Sequence, residues 1–454
     1  MLIHLTLPIA ARGPINEGDG RIMNSTAPPG RTVAVFCMPE TGHFLRMLSV
    51  IRGLVQRGMA VHVYTHGKFA PQVAQWGGVF HDLFSQYSLQ LADDESMPVP
   101  CRFVTFAAAY GRQILRDVAP INPSVIIHDS FAVVGRLVAE QLGVPRVNVC
   151  PGHNMVPEYF LAELRKDPRV KIADRCWNAV KELQESFGMA DASPFSYLSA
   201  HSQFMNLHCE PPEFLTEKEW GVFEPVAFIG SLPPSATDEP RVKRDLRGSF
   251  VEVYVSFGTV IWRYYKAIAV AALAKLAEAF SRIENVKTVI SLGGTGLNGA
   301  ELATLMQPNV RVESYVNQWQ VLREADLFVT HHGMNSTHEA IFHRTPMLSY
   351  PFFSDQPGLA AKCQQLGVAI PLAGALRAPF SVNDVHAAFA RAIDAQESMK
   401  IALERVRAWE LATLTRREEV WQWIELAGMS RISTNMQGTI RTNPHNPGIR
   451  GKPA

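Results

Sequence analysis

The segment ADLFVTHHGMNSTHEAIFHR, residues 325–344, joins an apolar strand to a polar helix start and decides the class of fold. The run ADLFV has the length and composition of a buried strand, whereas the residues from Asn335 onward have helical periodicity. Two histidines and a glycine stand between them, so polar chemistry is concentrated where the strand ends. Because ligands of parallel α/β sheets bind outside the carboxyl ends of the strands, this junction is a candidate binding site.

The same alternation of apolar strand and amphipathic helix continues in both directions along the chain. One series begins at TVAVFCMP (32–39) and includes PSVIIHD (123–129), and a second begins at VEVYVSFG (251–258) and reaches PMLSYPFF (346–353). Such alternation predicts parallel sheets with helices on both faces. We therefore predict an α/β protein of two doubly wound, Rossmann-like domains that face each other across a cleft.

The composition of the chain changes between the two series and at both chain ends. The stretch between them is rich in proline, serine and charge, which is typical of a linker, and both chain ends have little periodicity, which favours disorder. The predicted parts are a disordered lead-in (1–30), an N-terminal domain (31–230), a linker (231–248), a C-terminal domain (249–410), a C-terminal helix (411–427) and a disordered tail (428–454).

Charge and cysteine usage limit the partners of the 454-residue chain. Its 43 lysines and arginines nearly balance 42 aspartates and glutamates, and no basic run is interleaved with aromatics, so nucleic acid is not expected. Six scattered cysteines without a CxxC pair indicate a reducing compartment. No segment reaches the ~18 consecutive apolar residues of a membrane span. We expect a cytoplasmic protein that binds small molecules.

The residues alone leave two interpretations of the polar junction open. A helix start behind His331 and Gly333 offers free backbone N–H groups and a positive dipole end, which suits a phosphate. Ser336 and Glu339, however, also have the spacing of a capping box, in which they would only satisfy each other's backbone donors.

Other motifs in the chain are weak. Gly294, Gly296 and Gly299 form GxGxxG, but the pattern is not in the first βα turn of its domain and Pro308 stops the following helix early. His338 and His343 are one residue too far apart for HExxH, so they would not share a helical face for zinc. No DxD occurs, and we expect no metal site and no resident cofactor.

The segment YVNQWQVLREADLFVTHHGMNSTHEAIFHRTPMLSYPFFSDQ (315–356) resembles the donor-binding signature of family 1 inverting glycosyltransferases. VYVSFGT (253–259) is similar to the first strand and loop of the same family's C-terminal domain. The resemblance implies the two-domain GT-B architecture, a nucleotide-sugar donor, for which we expect UDP rather than dTDP, and a small-molecule acceptor.

The resemblance also implies roles for individual residues in holding the donor. The nucleotide base would lie by Tyr315, Val316 and Gln318, the ribose hydroxyls on Glu339, and the transferred sugar on Asp355 and Gln356. The diphosphate and its loop would be formed by Ser256, Gly258, Thr259, His331, Gly333, Met334, Asn335 and Ser336. Asn317, His332 and Arg344-Thr345 depart from the usual family residues.

A catalytic pair is predicted in the first domain. An acceptor hydroxyl needs a general base, and histidine suits this task near neutral pH. His43 stands at the carboxyl end of the first predicted strand, where the family has a Gly-His. Asp129 ends another predicted strand and matches the family's orienting carboxylate, which would fix the histidine tautomer. The alternative is that His43 is an ordinary polar helix residue and Asp129 a helix cap.

These expectations amount to an inverting, metal-independent transfer of a hexose, from UDP-glucose or a similar donor, that gives a β-glycoside. Two alternatives stay open: an NAD-dependent oxidoreductase using the glycine loop at 294–299, and a non-catalytic nucleotide-sugar binder. Aromatic and apolar residues in the first domain favour a partly hydrophobic acceptor. The candidate acceptor residues are Phe84, Phe103, Tyr110, Met155 and Tyr159.

Overall fold

A computed structural model of the chain describes residues 31–90, 101–154, 156–157, 161–162, 172–198, 200–233, 236, 240–248, 250–430 and 449–450. Within these ranges the chain folds into two α/β units, each built on its own sheet. The predicted lead-in at 1–30 and most of the predicted tail at 428–454 lie outside the described residues.

The first sheet has eight strands in the order β14-β7-β6-β5-β4-β1-β2-β3, all parallel except β14, which pairs antiparallel with β7. Its strands are β1 (Thr32–Phe36), β2 (Ala60–Thr65), β3 (Val79–Asp82), β4 (Val125–Asp129), β5 (Arg146–Cys150), β6 (Met205–His208), β7 (Val226–Phe228) and β14 (Ile449–Arg450). The second sheet has six parallel strands in the order β10-β9-β8-β11-β12-β13. They are β8 (Val251–Ser256), β9 (Val286–Ser291), β10 (Val310–Glu313), β11 (Leu327–Thr330), β12 (Met347–Ser349) and β13 (Ala369–Pro371).

Helices cover both faces of each sheet. In the first unit these are α1 (Thr41–Gln56), α2 (Ala70–Gln75), α3 (Arg102–Val118), α4 (Val133–Leu142), α5 (Asp174–Phe187) and α6 (Glu217–Trp220). In the second unit they are α7 (Ile261–Ser281), α8 (Gly299–Ala303), α9 (Gln318–Glu324), α10 (Met334–Phe342), α11 (Gln356–Leu366), α12 (Val382–Asp394) and α13 (Gln396–Ser430). The prediction of two doubly wound domains is confirmed.

Each sheet separates two apolar cores because successive strand side chains point to opposite faces. In β1, Val33 and Val35 pack with α1, whereas Ala34 and Phe36 pack with α3 and α4. In β8, Val253 packs with α7 and α12. Buried on both faces, the strands are near-continuous apolar runs, as parallel sheets require.

The helix α13 connects the two units. The predicted C-terminal helix at 411–427 is part of this longer helix, which begins at Gln396 and ends at Ser430. Leu403 and Val406 pack into the core of the second unit, and Trp421 and Ile424 pack into the core of the first. One rigid element therefore contributes to both hydrophobic cores.

In the part of the chain described above, no helix combines the length and the apolar character needed to cross a lipid bilayer.

Truncating Trp421 tests the contribution of α13 to the first unit. The indole is 3% exposed, and it fills the space over Gly53 on α1, where an added Cβ would overlap its ring. Trp421→Ala should lower the free energy of unfolding by about 3–5 kcal/mol, because it removes a large buried side chain and leaves a cavity. Denaturant-induced unfolding would measure the loss. Leu426→Ala on the same helix is the matched control, since Leu426 is 52% exposed and its removal should change stability by about 0.5 kcal/mol or less.

Candidate active site

The carboxyl ends of strands from both sheets open onto one cavity of about 880 Å³. Residues after β1 and β4 line it from the first unit, and residues after β8, β11 and β12 line it from the second. Ligand sites of this fold class occur at such strand ends, where chain direction places the loops and helix N-termini. The cavity is therefore the candidate active site.

His43 lies on the first-unit side of this cavity. The ends of β1 and β4 are neighbours, because Phe36 pairs with His128 in the parallel register. This register brings His43, at the start of α1, to Asp129, so that His43 Nδ1 lies 3.2 Å from Asp129 Oδ1. With Nδ1 held by the carboxylate, Nε2 is the nitrogen available to the cavity that His43 lines.

Asp129 is fully buried and is fixed by backbone donors. The Met38 N–H donates to Oδ2 at 2.9 Å, and the Phe131 N–H donates to Oδ1 at 2.7 Å. Burial raises the pKa of the Asp129 carboxyl, but the hydrogen bonds and charge it receives, first from His43, hold its pKa below the ordinary value. Asp129 is therefore an oriented carboxylate that can stabilise a protonated His43.

The N-terminus of α10 forms the opposite wall. Gly333 is the N-cap residue and provides no side-chain cap, so the first N–H groups of the helix stay available to a ligand. The capping-box interpretation is wrong for this helix. The Ser336 hydroxyl donates to Gln318 Oε1 at 3.2 Å, and Glu339 Oε2 accepts from Gln318 Nε2 at 2.9 Å, so both side chains are directed to a neighbouring helix.

The His331 ring lies wedged between two glycines at the end of β11. A Cβ added at either Gly258 or Gly333 would lie 2.5 Å from His331 Nε2, so no larger residue fits at these positions. Gly258 also has φ +73°, which glycine adopts without strain. Burial lowers the pKa of His331 to about 4, so the ring is neutral at pH 7.

Glu339 lies one helical turn beyond the start of α10. Burial raises its pKa to about 7, although the Gln318 amide and the positive charge of Arg46 both favour the carboxylate. The Gln318 side chain bridges Ser336 and Glu339 and orients the carboxyl toward the cavity. A carboxyl with this pKa changes its charge near neutral pH.

The structure brings all fourteen predicted donor residues together around the cavity. They are Ser256, Gly258, Thr259, Tyr315, Val316, Gln318, His331, Gly333, Met334, Asn335, Ser336, Glu339, Asp355 and Gln356. Tyr315 stands at the rim and is 64% exposed. Asp355 Oδ2 accepts the His153 N–H at 3.0 Å, so this side chain also contacts the first unit.

Phe84, Phe103 and Tyr110, the predicted acceptor residues that the structure describes, do not line this cavity. Phe103 is fully buried in the core between the first sheet and α3, and Phe84 and Tyr110 pack against the same core. Met155 and Tyr159 lie outside the described residues. The apolar side chains that line the cavity near His43 are instead Leu45, Phe131, Tyr197 and Tyr264.

Sequence reasoning missed these four apolar residues, and it also missed the cavity-lining arginines, of which Arg46 lies nearest to His43 in the sequence. Arg46 follows His43 by three residues on α1, and residues three apart share a helical face, so the spacing was a usable signal. Phe131, two residues after Asp129, packs with its ring centroid 4.0 Å from that of His43. Phe131 directly follows the end of a strand, where residues of parallel α/β sheets contact ligands, so its position in the sequence also indicated a place in the cavity.

The glycine loop at 294–299 has no substantial helix after it. The helix α8 has only five residues, and its N-terminus is occupied by Asn298, whose side chain accepts the Glu301 N–H at 2.9 Å. A dinucleotide fingerprint uses a longer helix with free N–H groups. The loop therefore lacks the feature on which the oxidoreductase alternative depends.

The histidines of HEAIFH are held by other contacts. His338 Nδ1 lies 2.5 Å from Glu410 Oε1, and the His343 ring packs edge-on against Trp319. Across the described ranges, no group of three or more His, Cys, Asp or Glu side chains is arranged to hold a metal ion.

Comparisons with known proteins agree with this architecture. The family model described as UDP-glucoronosyl and UDP-glucosyl transferase matches residues 242–404. The chain is 29% identical to the oleandomycin glycosyltransferase of Streptomyces antibioticus over 357 residues, which are 75% of this chain and 79% of that protein.

Solved glycosyltransferase structures share the fold. The glycosyltransferase of kitacinnamycin superposes with a TM-score of 0.68 at 22% identity, covering 87% of this chain and 99% of the other. The glycosyltransferase VinC in complex with dTDP superposes with a TM-score of 0.58 at 17% identity, covering 87% and 100%. The resemblance found in the donor segment is thus confirmed: the chain is similar to family 1 glycosyltransferases over most of its length and shares their GT-B fold.

Proposed function

We propose that the protein transfers a hexose from a UDP-sugar, UDP-glucose or a similar donor, to a hydroxyl of a small, partly hydrophobic acceptor. The observation that carries this proposal is the position of His43 and α10 on facing walls of one cavity. The Asn335 side-chain amide, at the start of α10, donates to the Gly42 carbonyl next to His43 at 3.3 Å. A base and a diphosphate site this close can act on the same donor molecule.

The proposed reaction is a single displacement. His43 Nε2 takes the acceptor hydroxyl proton while the acceptor oxygen forms a bond to the anomeric carbon. The bond from that carbon to the diphosphate oxygen breaks, and the nucleoside diphosphate leaves with the electron pair. The α10 N-terminus stabilises the charge on the leaving group. One displacement inverts configuration, so an α-linked donor gives a β-glycoside, and no metal takes part in this scheme.

Each donor group has a proposed place along the second-unit wall. The base lies by Tyr315 and the ribose on Glu339. The diphosphate lies at Asn335 and Ser336, beside His331 and the loop of Ser256, Gly258 and Thr259. The sugar lies by Asp355 and Gln356. The acceptor lies against Leu45, Phe131, Tyr197 and Tyr264, an apolar wall that supports a partly hydrophobic aglycone. We also propose a cytoplasmic site of action, which six buried cysteines without disulfides support.

Ligand-dependent stability tests the donor class. UDP or UDP-glucose, at about 100 times its dissociation constant, should add about 2.7 kcal/mol of stability and raise the melting temperature. NAD should not, because the glycine loop lacks a substantial following helix. Thermal-shift assays with UDP, dTDP, UDP-glucose, dTDP-glucose and NAD would measure this. A shift with NAD alone would overturn the proposed function, and a shift with only thymidine nucleotides would correct the choice of base.

Removing the base tests the mechanism. His43→Ala should lower kcat by about 10²–10⁴-fold or more, because the acceptor proton then has no positioned base. UDP affinity should stay within about twofold of wild type, and both can be measured by turnover and calorimetry. His386→Ala is a suitable control, since the His386 ring bonds to the Ala279 carbonyl and lies outside the cavity lining. Near-normal turnover in His43→Ala would remove His43 from the mechanism.

Glu339 predicts a pH dependence of donor binding. A carboxylate accepts both ribose hydroxyls, so binding requires the ionised form, and the pKa of Glu339 in the free protein is about 7. UDP-glucose affinity should therefore be full above pH 7 and weaken as the pH falls through 7, by up to about tenfold per pH unit. Calorimetry from pH 5.5 to 8 would measure this with UDP-glucose, whose diphosphate diester does not titrate there.

Glu339→Gln provides the comparison. The glutamine amide is uncharged and has only one oxygen to accept from the ribose hydroxyls. The affinity for UDP-glucose should therefore fall by about 10- to 100-fold, and it should no longer depend on pH in this range. An unchanged pH profile in Glu339→Gln would show that another group titrates.

A further inference from the structure

Arg46 is a buried arginine in the cavity wall that has no ion-pair partner in the described part of the chain. Its residue exposure is 5%, and its Nη1 donates to the Gly42 carbonyl at 2.5 Å within α1. Among the described residues, its Nε has no hydrogen-bond partner and no carboxylate lies within 4.0 Å of the guanidinium. A buried, unpaired charge is costly, so its retention at a cavity indicates a charged ligand.

Arg102, a second arginine in the first-unit wall of the cavity, is different. Arg102 also lines the cavity, but its Nη2 lies 2.5 Å from Glu40 Oε1, so its charge is compensated within the protein. His331 on the opposite wall is neutral at pH 7, because burial lowers its pKa to about 4. Arg46 is thus a positive charge that the surrounding cavity wall does not neutralise by direct pairing.

The neighbours of Arg46 define what it would contact. The Gly42 carbonyl that accepts from Arg46 also accepts from Asn335 Nδ2, so the guanidinium lies beside the start of α10. Burial lowers the pKa of Arg46, while the carboxylates of Asp355 and Glu339 act on it in the opposite direction. Arg46 therefore lies among the residues proposed to hold the sugar, the diphosphate and the ribose. In a nucleotide sugar, the group between ribose and sugar is the diphosphate.

We propose that Arg46 binds the donor diphosphate from the first unit, opposite the N-terminus of α10, and this assignment rests on the proposed function. A guanidinium matches two phosphate oxygens in a bidentate arrangement and stays charged when buried. When the anomeric bond breaks, negative charge grows on the leaving diphosphate, and Arg46 stabilises it more strongly than in the ground state. Arg46 is thus a donor-binding residue whose charge contributes to both affinity and turnover.

Substitutions that keep or remove the charge test this role. Arg46→Gln should weaken UDP and UDP-glucose binding by about 10- to 100-fold and lower kcat, and it should leave uridine affinity unchanged. Arg46→Lys should recover part of the loss, since it keeps the charge without the bidentate fork. The affinity for UDP should also depend less steeply on salt concentration in Arg46→Gln than in wild type, because the variant lacks one charge that attracts the diphosphate. A residue with a purely structural role would not change this salt dependence.

The measurements are calorimetric titrations with uridine, UMP, UDP, UDP-glucose and UDP-glucuronic acid, with the thymidine series in parallel. Arg52→Gln on the same helix is the matched control, because Arg52 lies over the Trp76 ring and outside the cavity lining. Wild-type UDP affinity in Arg46→Gln would overturn the assignment, as would an equal loss of uridine affinity.

A loss confined to UDP-glucuronic acid would also overturn it, by showing that Arg46 contacts a sugar carboxylate. A wild-type protein that binds none of these nucleotides would instead overturn the proposed function, so the two failures are distinguishable.

Discussion

The buried Asp129 carboxylate is the constraint on which the first-unit wall of the candidate active site depends. A fully buried charge is tolerated only when donors surround it, and here these come from Met38, Phe131 and His43. The three donors belong to the loops after β1 and β4 and to the start of α1. Satisfying one carboxylate therefore fixes the relative positions of two strand ends and orients the histidine ring.

Contacts across the cleft place this wall against the second unit. Asn335 donates to the Gly42 carbonyl, Asp355 accepts from the His153 N–H, and Arg263 lies 3.4 Å from Glu40. Each contact involves a residue next to a proposed ligand position. Together with the shared helix α13, they hold the proposed base and the proposed donor site in one cavity, where a donor molecule could contact both walls.

The sequence was sufficient to predict the fold and the second-unit wall because both depend on local patterns. Strand and helix periodicities identify the two sheets, and eleven of the fourteen predicted donor residues lie in one segment, 315–356, where consecutive strands and helices follow each other closely. Departures from the family pattern there have local explanations. The Asn317 side chain caps α9 by accepting the Gln320 N–H, and the buried His332 ring bonds to the Ser349 hydroxyl at 2.7 Å.

The first-unit wall was harder to predict because it depends on contacts between distant segments. Phe103 and Tyr110 are aromatic, as several cavity-lining residues are, yet the orientation of α3 places them in the core. The importance of Arg46 depends on α10, almost 300 residues away in the chain, because its exposure and neighbours are set by the second unit. Local periodicity carries no information about such pairings.

The wedge formed by His331 between Gly258 and Gly333 has a consequence for how the protein can evolve. Since a Cβ at either glycine would meet the same ring, the three positions cannot vary independently. At Gly333, whose φ is −63°, a larger residue becomes tolerable once the histidine has been replaced by a smaller one, whereas Gly258 has φ +73° and a substitution there stays strained in either case. We thus expect epistasis between Gly333 and His331, whereas position 258 should need glycine whichever residue stands at 331.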